Sequence, residues 1–288
     1  MVLPVRLSCC ALALALGLAA CAPKSAPPAQ APTRIVVLGG TLTEVVFALG
    51  MGDAVVGVDE SARYPEAAVA KPKAGFYRQL SAEGVLGLSP DLILASEETG
   101  PADAVAQLTA AGIAYRSFAN PRSADSTRAL IKAVGAALGR SAQADSLVAQ
   151  LNQDLDSLRG FTAAHPAQPR VLFIYARGAG TVQVGGRGTS AEAVVTLAGC
   201  TNAATGFENY KPLTPEAVVE ANPDYILLTD SGLASIGGLK GLQALPGLAQ
   251  SPAVRAGRVV ALNDLYLLGF GPRLGQAALE LAQLTHPE

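Results

Sequence analysis

Apolar runs and polar, turn-rich stretches alternate from residue 34 to the C-terminal end. Arg34 to Leu38 is a β-branched run that predicts a strand, after which Gly39-Gly40-Thr41 opens a helix over Leu42 to Leu49. Val55 to Val58 and Ala114 to Phe118 are further predicted strands. In the second half, Val171 to Tyr175, Tyr225 to Leu228 and Val259 to Leu262 follow the same pattern. Thr189 to Ala198 and Arg273 to Leu284 are predicted helices. Between the halves, Ser141 to Arg159 carries Leu147, Val148, Leu151, Leu155 and Leu158 at helical spacing, with no turn signal inside. Strands alternating with helices imply α/β lobes with mostly parallel sheets. The expected architecture is two lobes, each a mostly parallel sheet flanked by helices, joined by one long rigid helix.

One segment is repeated. Leu80-Ser81-Ala82-Glu83 through Pro90-Asp91-Leu92-Ile93-Leu94 aligns with Leu213-Thr214-Pro215-Glu216 through Pro223-Asp224-Tyr225-Ile226-Leu227. Ser81 with Glu83, and Thr214 with Glu216, come close to a capping box, and Pro90 and Pro223 are expected to stop the short helices. The expected boundaries are 34–140 for the first lobe, 141–162 for the connecting helix and 168–288 for the second lobe. A ligand site is expected in the cleft between them.

The N-terminus changes the picture by setting the compartment. Arg6 precedes a short apolar run, Ala11 to Ala20, that is too short to span a bilayer and is expected to be an export signal over 1–20. Leu18-Ala19-Ala20-Cys21 resembles a bacterial lipobox, which makes Cys21 the expected lipidation site and 21–33, rich in Pro and Ala, a flexible tether. The protein is then extracytoplasmic and lipid-anchored to the cell envelope, in the periplasm or on the outer face of the cytoplasmic membrane. Cys9 and Cys10 leave with the signal, so Cys200 has no disulfide partner and is expected to be a small core residue. The net charge is −2 and basic residues are scattered, so nothing points to nucleic acid.

Enzyme signatures are scarce. No nucleophile elbow, phosphate-binding loop or His-Glu-x-x-His helix is present. Gly185-Gly186-Arg187-Gly188-Thr189 is expected to be a tight turn with a helix cap rather than an anion site. The two histidines, His165 and His286, stand outside the expected cleft, which excludes a three-histidine transition-metal centre. Tyr115, Tyr175, Tyr225 and Tyr266 fall in or beside predicted strands. Tyr64, Tyr77 and Tyr210 fall in predicted loops beside Arg63, Arg78 and Lys211. Phenolate is a hard ligand for ferric iron, an adjacent guanidinium favours it over the phenol, and basic side chains suit porphyrin carboxylates. The residues alone leave open whether these tyrosines bind a ferric centre or pack against their neighbours.

Several stretches carry a resemblance over nearly the whole chain beyond the tether. They are Val56-Gly57-Val58-Asp59 with Arg63-Tyr64-Pro65, Gly75 through Gly84, Gly188 through Ala193, Tyr210 through Leu213, and Asp264 through Arg273. They resemble the substrate-binding lipoproteins of haem (hemin) ABC importers, within the helical-backbone class of periplasmic binding proteins. The resemblance implies a non-enzymatic monomeric receptor with no catalytic cofactor, carrying haem b as cargo to a permease and ATPase complex. Cobalamin or a ferric siderophore as ligand, or a haem-modifying enzyme, are the alternatives. In such relatives a tyrosine directly after the glycine ligates iron, and an arginine two residues later supports it. Here Phe76 takes the tyrosine's place, Arg78 the arginine's, and Tyr77 is displaced by one. Either Tyr77 is the axial ligand, or Phe76 stacks on the macrocycle and Tyr64 or Tyr210 serves. Lys211 and Arg177 are further candidates for the site, Arg177 on its opposite wall. Glu83 and Glu216 match the positions that dock on the permease.

Overall fold

The computed structural model describes residues 1–2 and 32–286; the proposed lipidation site Cys21 lies outside the described residues. The first lobe runs β1 (Ile35–Leu38), α1 (Gly40–Ala48), β2 (Val55–Val58), α2 (Glu66–Val69), α3 (Ala82–Leu86), β3 (Leu92–Ser96), α4 (Ala102–Ala110), β4 (Ala114–Phe118) and α5 (Ala124–Ala137). Its sheet has the order β2-β1-β3-β4, with every pair parallel. A 24-residue helix, α6 (Ser141–Ala164), follows.

The second lobe contains β5 (Arg170–Ala176), β6 (Val182–Gly185), α7 (Ser190–Leu197), β7 (Thr201–Asn202), β8 (Tyr210–Pro212), α8 (Pro215–Ala221), β9 (Tyr225–Thr229), α9 (Asp230–Ser235), α10 (Gly238–Ala244), α11 (Pro252–Arg255), β10 (Val259–Leu262), α12 (Asp264–Leu268) and α13 (Leu274–Thr285). Its sheet has the order β10-β9-β5-β6-β8, with β7 beside β5. β10, β9, β5 and β7 are parallel, whereas β6 pairs antiparallel with both β5 and β8. The fold is therefore α/β, with two parallel-rich sheets flanked by helices.

Apolar runs become strands here because both faces of each central strand are covered. Ile35 and Val37 of β1 enter one apolar cluster, while Val36 and Leu38 enter another on the opposite face. Val171 and Phe173 of β5 join that same first cluster, and Leu172 and Ile174 pack on the far side of the second lobe. The long helix α6 joins the lobes as expected, and this shared cluster packs them against each other as well. Leu151, Leu155 and Leu158 of α6 lie within it between α5 and α13, so the connector is also the middle of a common core. At Gly275 in α13, a Cβ would stand 2.6 Å from that of Asp154, so only glycine lets α13 approach α6 this closely.

The repeat builds the same joint twice. Asp91 Oδ2 accepts from Thr33 N, Thr33 Oγ1 and Arg34 N, and the Arg34 guanidinium donates to the carbonyls of Leu88 and Ser89. Asp224 Oδ2 accepts from Arg170 N at 2.8 Å, and the Arg170 guanidinium donates to the carbonyl of Ala221. Each repeat aspartate thus clamps the start of its lobe's first strand. The helix caps differ from expectation. Thr214 accepts from Ala217 N at 3.2 Å, but the Ser81 side chain makes no capping bond. It is Asn222, in the left-handed region with φ 37°, that ends α8, rather than Pro223 itself.

Candidate functional site

A cavity of about 240 Å³ opens between the lobes. Its floor is the start of α1, Gly40 to Leu42, approached so closely by the β2–α2 loop that a Cβ on Gly40 would meet Ser61 O at 2.4 Å. Tyr77, Arg78, Ser96, Glu98, Asn120 and Arg122 line it from the first lobe. The second lobe contributes Ser190, Leu265, Leu268 and Gly269.

Below the cavity the lobes are stitched together. Thr41 Oγ1 donates to Gly269 O at 2.8 Å, and Thr127 Oγ1 donates to Phe270 O at 2.8 Å. Arg273 meets the buried carboxylate of Glu44 in a bidentate pair, Nε to Oε1 at 2.7 Å and Nη2 to Oε2 at 3.0 Å. The guanidinium also lies 3.6 Å from the Tyr64 ring centroid and 4.9 Å from that of Tyr266. Burial, with Glu280 adding to it, pushes the Tyr266 phenol up to about 12.

Of the sequence-predicted site residues, the structure brings Tyr77 and Arg78 into the cavity lining. They sit on a short 3-10 turn, Tyr77–Gln79, against whose first ring Phe76 packs edge-on at 5.1 Å. Phe76 itself is not part of the lining, nor is Arg177, which pairs its backbone with Thr181 at the turn after β5. Tyr64 covers Arg273 instead. Tyr210 and Lys211 belong to the edge strand β8 rather than a loop: Tyr210 lies 5.8 Å from the Tyr175 ring and Lys211 5.0 Å from that of Phe207. Tyr266 is on α12, not on a strand. Glu83 and Glu216 are exposed in the first turns of α3 and α8. His165 and His286 both bond backbone carbonyls beside Phe161, and Cys200 is buried with its Sγ 3.2 Å from Thr285 Oγ1. Gly188 lies in a turn, and Thr189 after it caps α7, its side chain accepting from Glu192 N.

The electrostatics of the Tyr77–Arg78 pair differ from expectation. Burial raises the Tyr77 phenol above its ordinary value; Arg78 pulls it down but does not prevail, because Glu98 pushes it up again. Glu98 accepts from the Tyr77 hydroxyl at 3.3 Å and pairs with the Arg78 guanidinium. Burial pushes the Glu98 carboxyl up, yet its bonds to Arg78, Asn120 and Tyr77 outweigh this and hold it below the usual range. Ser96 Oγ, which accepts from Glu98 N at 3.2 Å, also reaches Asn120 Oδ1 at 3.0 Å. No motif marked Glu98, Asn120 or Arg122. The signal that existed was positional: the first two follow the C-terminal ends of β3 and β4, where parallel sheets place their ligand sites.

The arrangement offers a phenolic hydroxyl, two arginines and several neutral polar side chains around a cavity to which Leu265 and Leu268 add apolar surface. Among the described residues no cluster of three His, Cys, Asp or Glu side chains is placed to hold a bare metal ion, and no helix is long and apolar enough to cross a membrane. The chain is similar to the apo structure of RhuT, a periplasmic heme-binding protein from Roseiflexus sp. RS-1. The two are 45% identical, with a TM-score of 0.85 and coverage of 88% of this chain and 97% of that one. It is 30% identical over 260 residues to YvrC, an uncharacterized ABC transporter substrate-binding lipoprotein of Bacillus subtilis (strain 168), covering 89% of this chain and 81% of the relative. The vitamin B12-binding protein of Yersinia pestis (strain Pestoides F) is 28% identical over 259 residues, covering 89% of this chain and 87% of the relative. The model of the periplasmic binding protein family matches residues 35–265, from the first strand to α12, so the two stitched lobes have a family: this chain belongs to the periplasmic binding proteins.

Proposed function

We propose that the interlobe cleft captures haem b (hemin) as cargo and delivers it to an ABC permease and its ATPase. The observation that carries the reading is the side-by-side placement of Tyr77 and Arg78 in the cleft lining. A phenol is a suitable axial ligand for ferric iron, and guanidiniums at Arg78 and Arg122 suit the two carboxylates of the porphyrin. The likeness to a heme-binding structure at 45% identity supports the same ligand. A tyrosine phenol is neutral at neutral pH and burial raises it further, so ligation of ferric iron by Tyr77 would need its proton to leave to solvent as the iron–oxygen bond forms. The cavity is just below the roughly 300–1,000 Å³ of pockets that engulf a ligand, so a macrocycle is held with part of its face open.

Phe76 then serves by fixing the Tyr77 ring, and Tyr64, Tyr210, Lys211 and Arg177 are not needed as ligands. Glu83 and Glu216 dock the two lobe tips on basic residues of the permease through weak, salt-sensitive ion pairs, and Cys21 carries the lipid that anchors a monomeric receptor to the envelope. The receptor is not an enzyme; the relatives named above are binding proteins.

Titration with hemin, followed in the Soret region, tests the reading. The wild type is expected to give a shifted Soret band with ferric-phenolate charge-transfer bands, and Tyr77→Ala to lose those bands while Tyr64→Ala and Tyr210→Ala keep them. Cobalamin is the second reading, favoured by the vitamin B12-binding relative. It has no use for a phenol beside a guanidinium, and saturation by cyanocobalamin without any response to hemin would establish it instead.

A further inference from the structure

Glu98 touches both residues on which the proposed function rests. Its Oε2 accepts from the Tyr77 hydroxyl and from the Arg78 guanidinium. Backbone bonds fix this meeting: Gly100 N donates to Tyr77 O at 2.9 Å, and Leu80 N donates to Gly100 O at 2.8 Å. Ser96 Oγ holds the backbone N–H of Glu98 itself. The two loops cannot part without leaving these groups unpaired, which is costly. The charged side chains are freer, since Arg78 is 54% exposed and Glu98 33%. Arg122, also in the cleft lining, makes no ion pair among the described residues. Of the two arginines in the cleft lining, Arg122 has no ion-pair partner among the described residues, whereas Arg78 is already paired with Glu98.

We propose that Glu98 is a specificity-determining residue that competes with a carboxylate of the ligand for Arg78. The inference rests on the haem reading above and deepens it by saying what each carboxylate meets. One reaches Arg122 directly. The other takes Arg78 only as the Glu98 side chain rotates toward solvent, a one-for-one exchange of carboxylates around a fixed cation. A ligand without carboxylates gains nothing from the exchange. Glu98 thereby lowers the affinity for the dicarboxylate and eases its release, because the displaced partner stays tethered beside Arg78.

The test compares hemin with hemin dimethyl ester, in which both carboxylates are esterified, by Soret titration of the wild-type protein and of Glu98→Gln. The ratio of the hemin to the ester affinity is expected to rise by up to about fivefold in Glu98→Gln, the scale of one partly exposed ion pair. In an Arg78→Gln background the same substitution is expected to leave the ratio unchanged. A ratio that is unchanged or lower in Glu98→Gln overturns the proposal. Equal gains for both ligands do so too, because they would place the effect on the Tyr77 hydrogen bond instead. A ratio that still responds without Arg78 is equally fatal. A wild type with no Soret response to either ligand overturns the haem reading itself, and is told apart from the other failures because the ratio then does not exist.

Discussion

The two lobes share a scaffold but not a chemistry. Each begins with an arginine-flanked strand, clamped by the aspartate of a Pro-Asp turn: Arg34 with Asp91 in the first, Arg170 with Asp224 in the second. Yet the polar lining of the cleft comes almost wholly from the first lobe, while the second supplies Ser190, two leucines and a glycine backbone. The fold repeats because strand and turn chemistry is local. The cleft differs because the loops after equivalent strands carry different residues, and the loops, not the strands, meet the ligand.

The largest expected effect tests how firmly the unlike halves are joined. Arg273→Ala leaves the Glu44 carboxylate, only 3% exposed, without its cation across the seam. Loss of about 3–5 kcal/mol in urea denaturation is expected, as for other broken buried pairs. Leu158→Ala in the shared core should cost roughly 2–5 kcal/mol. Circular dichroism and a lobe-specific probe should report one coincident transition; two separate transitions would mean that the lobes fold independently despite the common cluster.

Smaller substitutions sharpen the comparison of the repeats. Thr214→Ala removes a capping bond from α8 and should cost about 1 kcal/mol, whereas Ser81→Ala, at the matching position, should be almost silent because no such bond exists there. Equal losses in thermal melts would make the caps equivalent after all. The weakest effect concerns acid. Burial pushes the Asp91 carboxyl up, but hydrogen bonds from Thr33 and Arg34 prevail and hold it below its ordinary value. A depressed carboxylate stabilises the fold above the usual aspartate range, and that contribution is lost as pH falls through the lowered value. Asp91→Asn should therefore narrow the difference in stability between neutral and acid conditions, with a slightly flatter acid limb in pH-dependent melts.

Strands and the long helix were legible because their signals are periodic and local. Val171 to Tyr175 and Ser141 to Arg159 declare themselves by spacing alone, and the structure places β5 and α6 over them. Less was legible at the edges. Tyr210 and Lys211 look like a loop, having no apolar run, and become β8 only because β6 offers an open edge to pair with. The site was half visible. Tyr77 and Arg78 stood out as an aromatic–basic pair, but Glu98, twenty residues from Arg78, carries no motif and enters only because two backbone bonds draw its loop against theirs.

By itself the amino-acid order determined the layered α/β lobes, the repeated turn that begins each sheet, and a short list of side chains able to face a ferric macrocycle. Tertiary structure decided which of them share a cleft: it turned Tyr64 onto Arg273, set Tyr210 beside Tyr175, and left Tyr77 and Arg78 in the cleft lining with Glu98 bonded to both. The reason is range. Propensity and periodicity act over a few residues, whereas a cleft is made by contacts such as Glu44 with Arg273, whose separation of 229 residues no local pattern encodes.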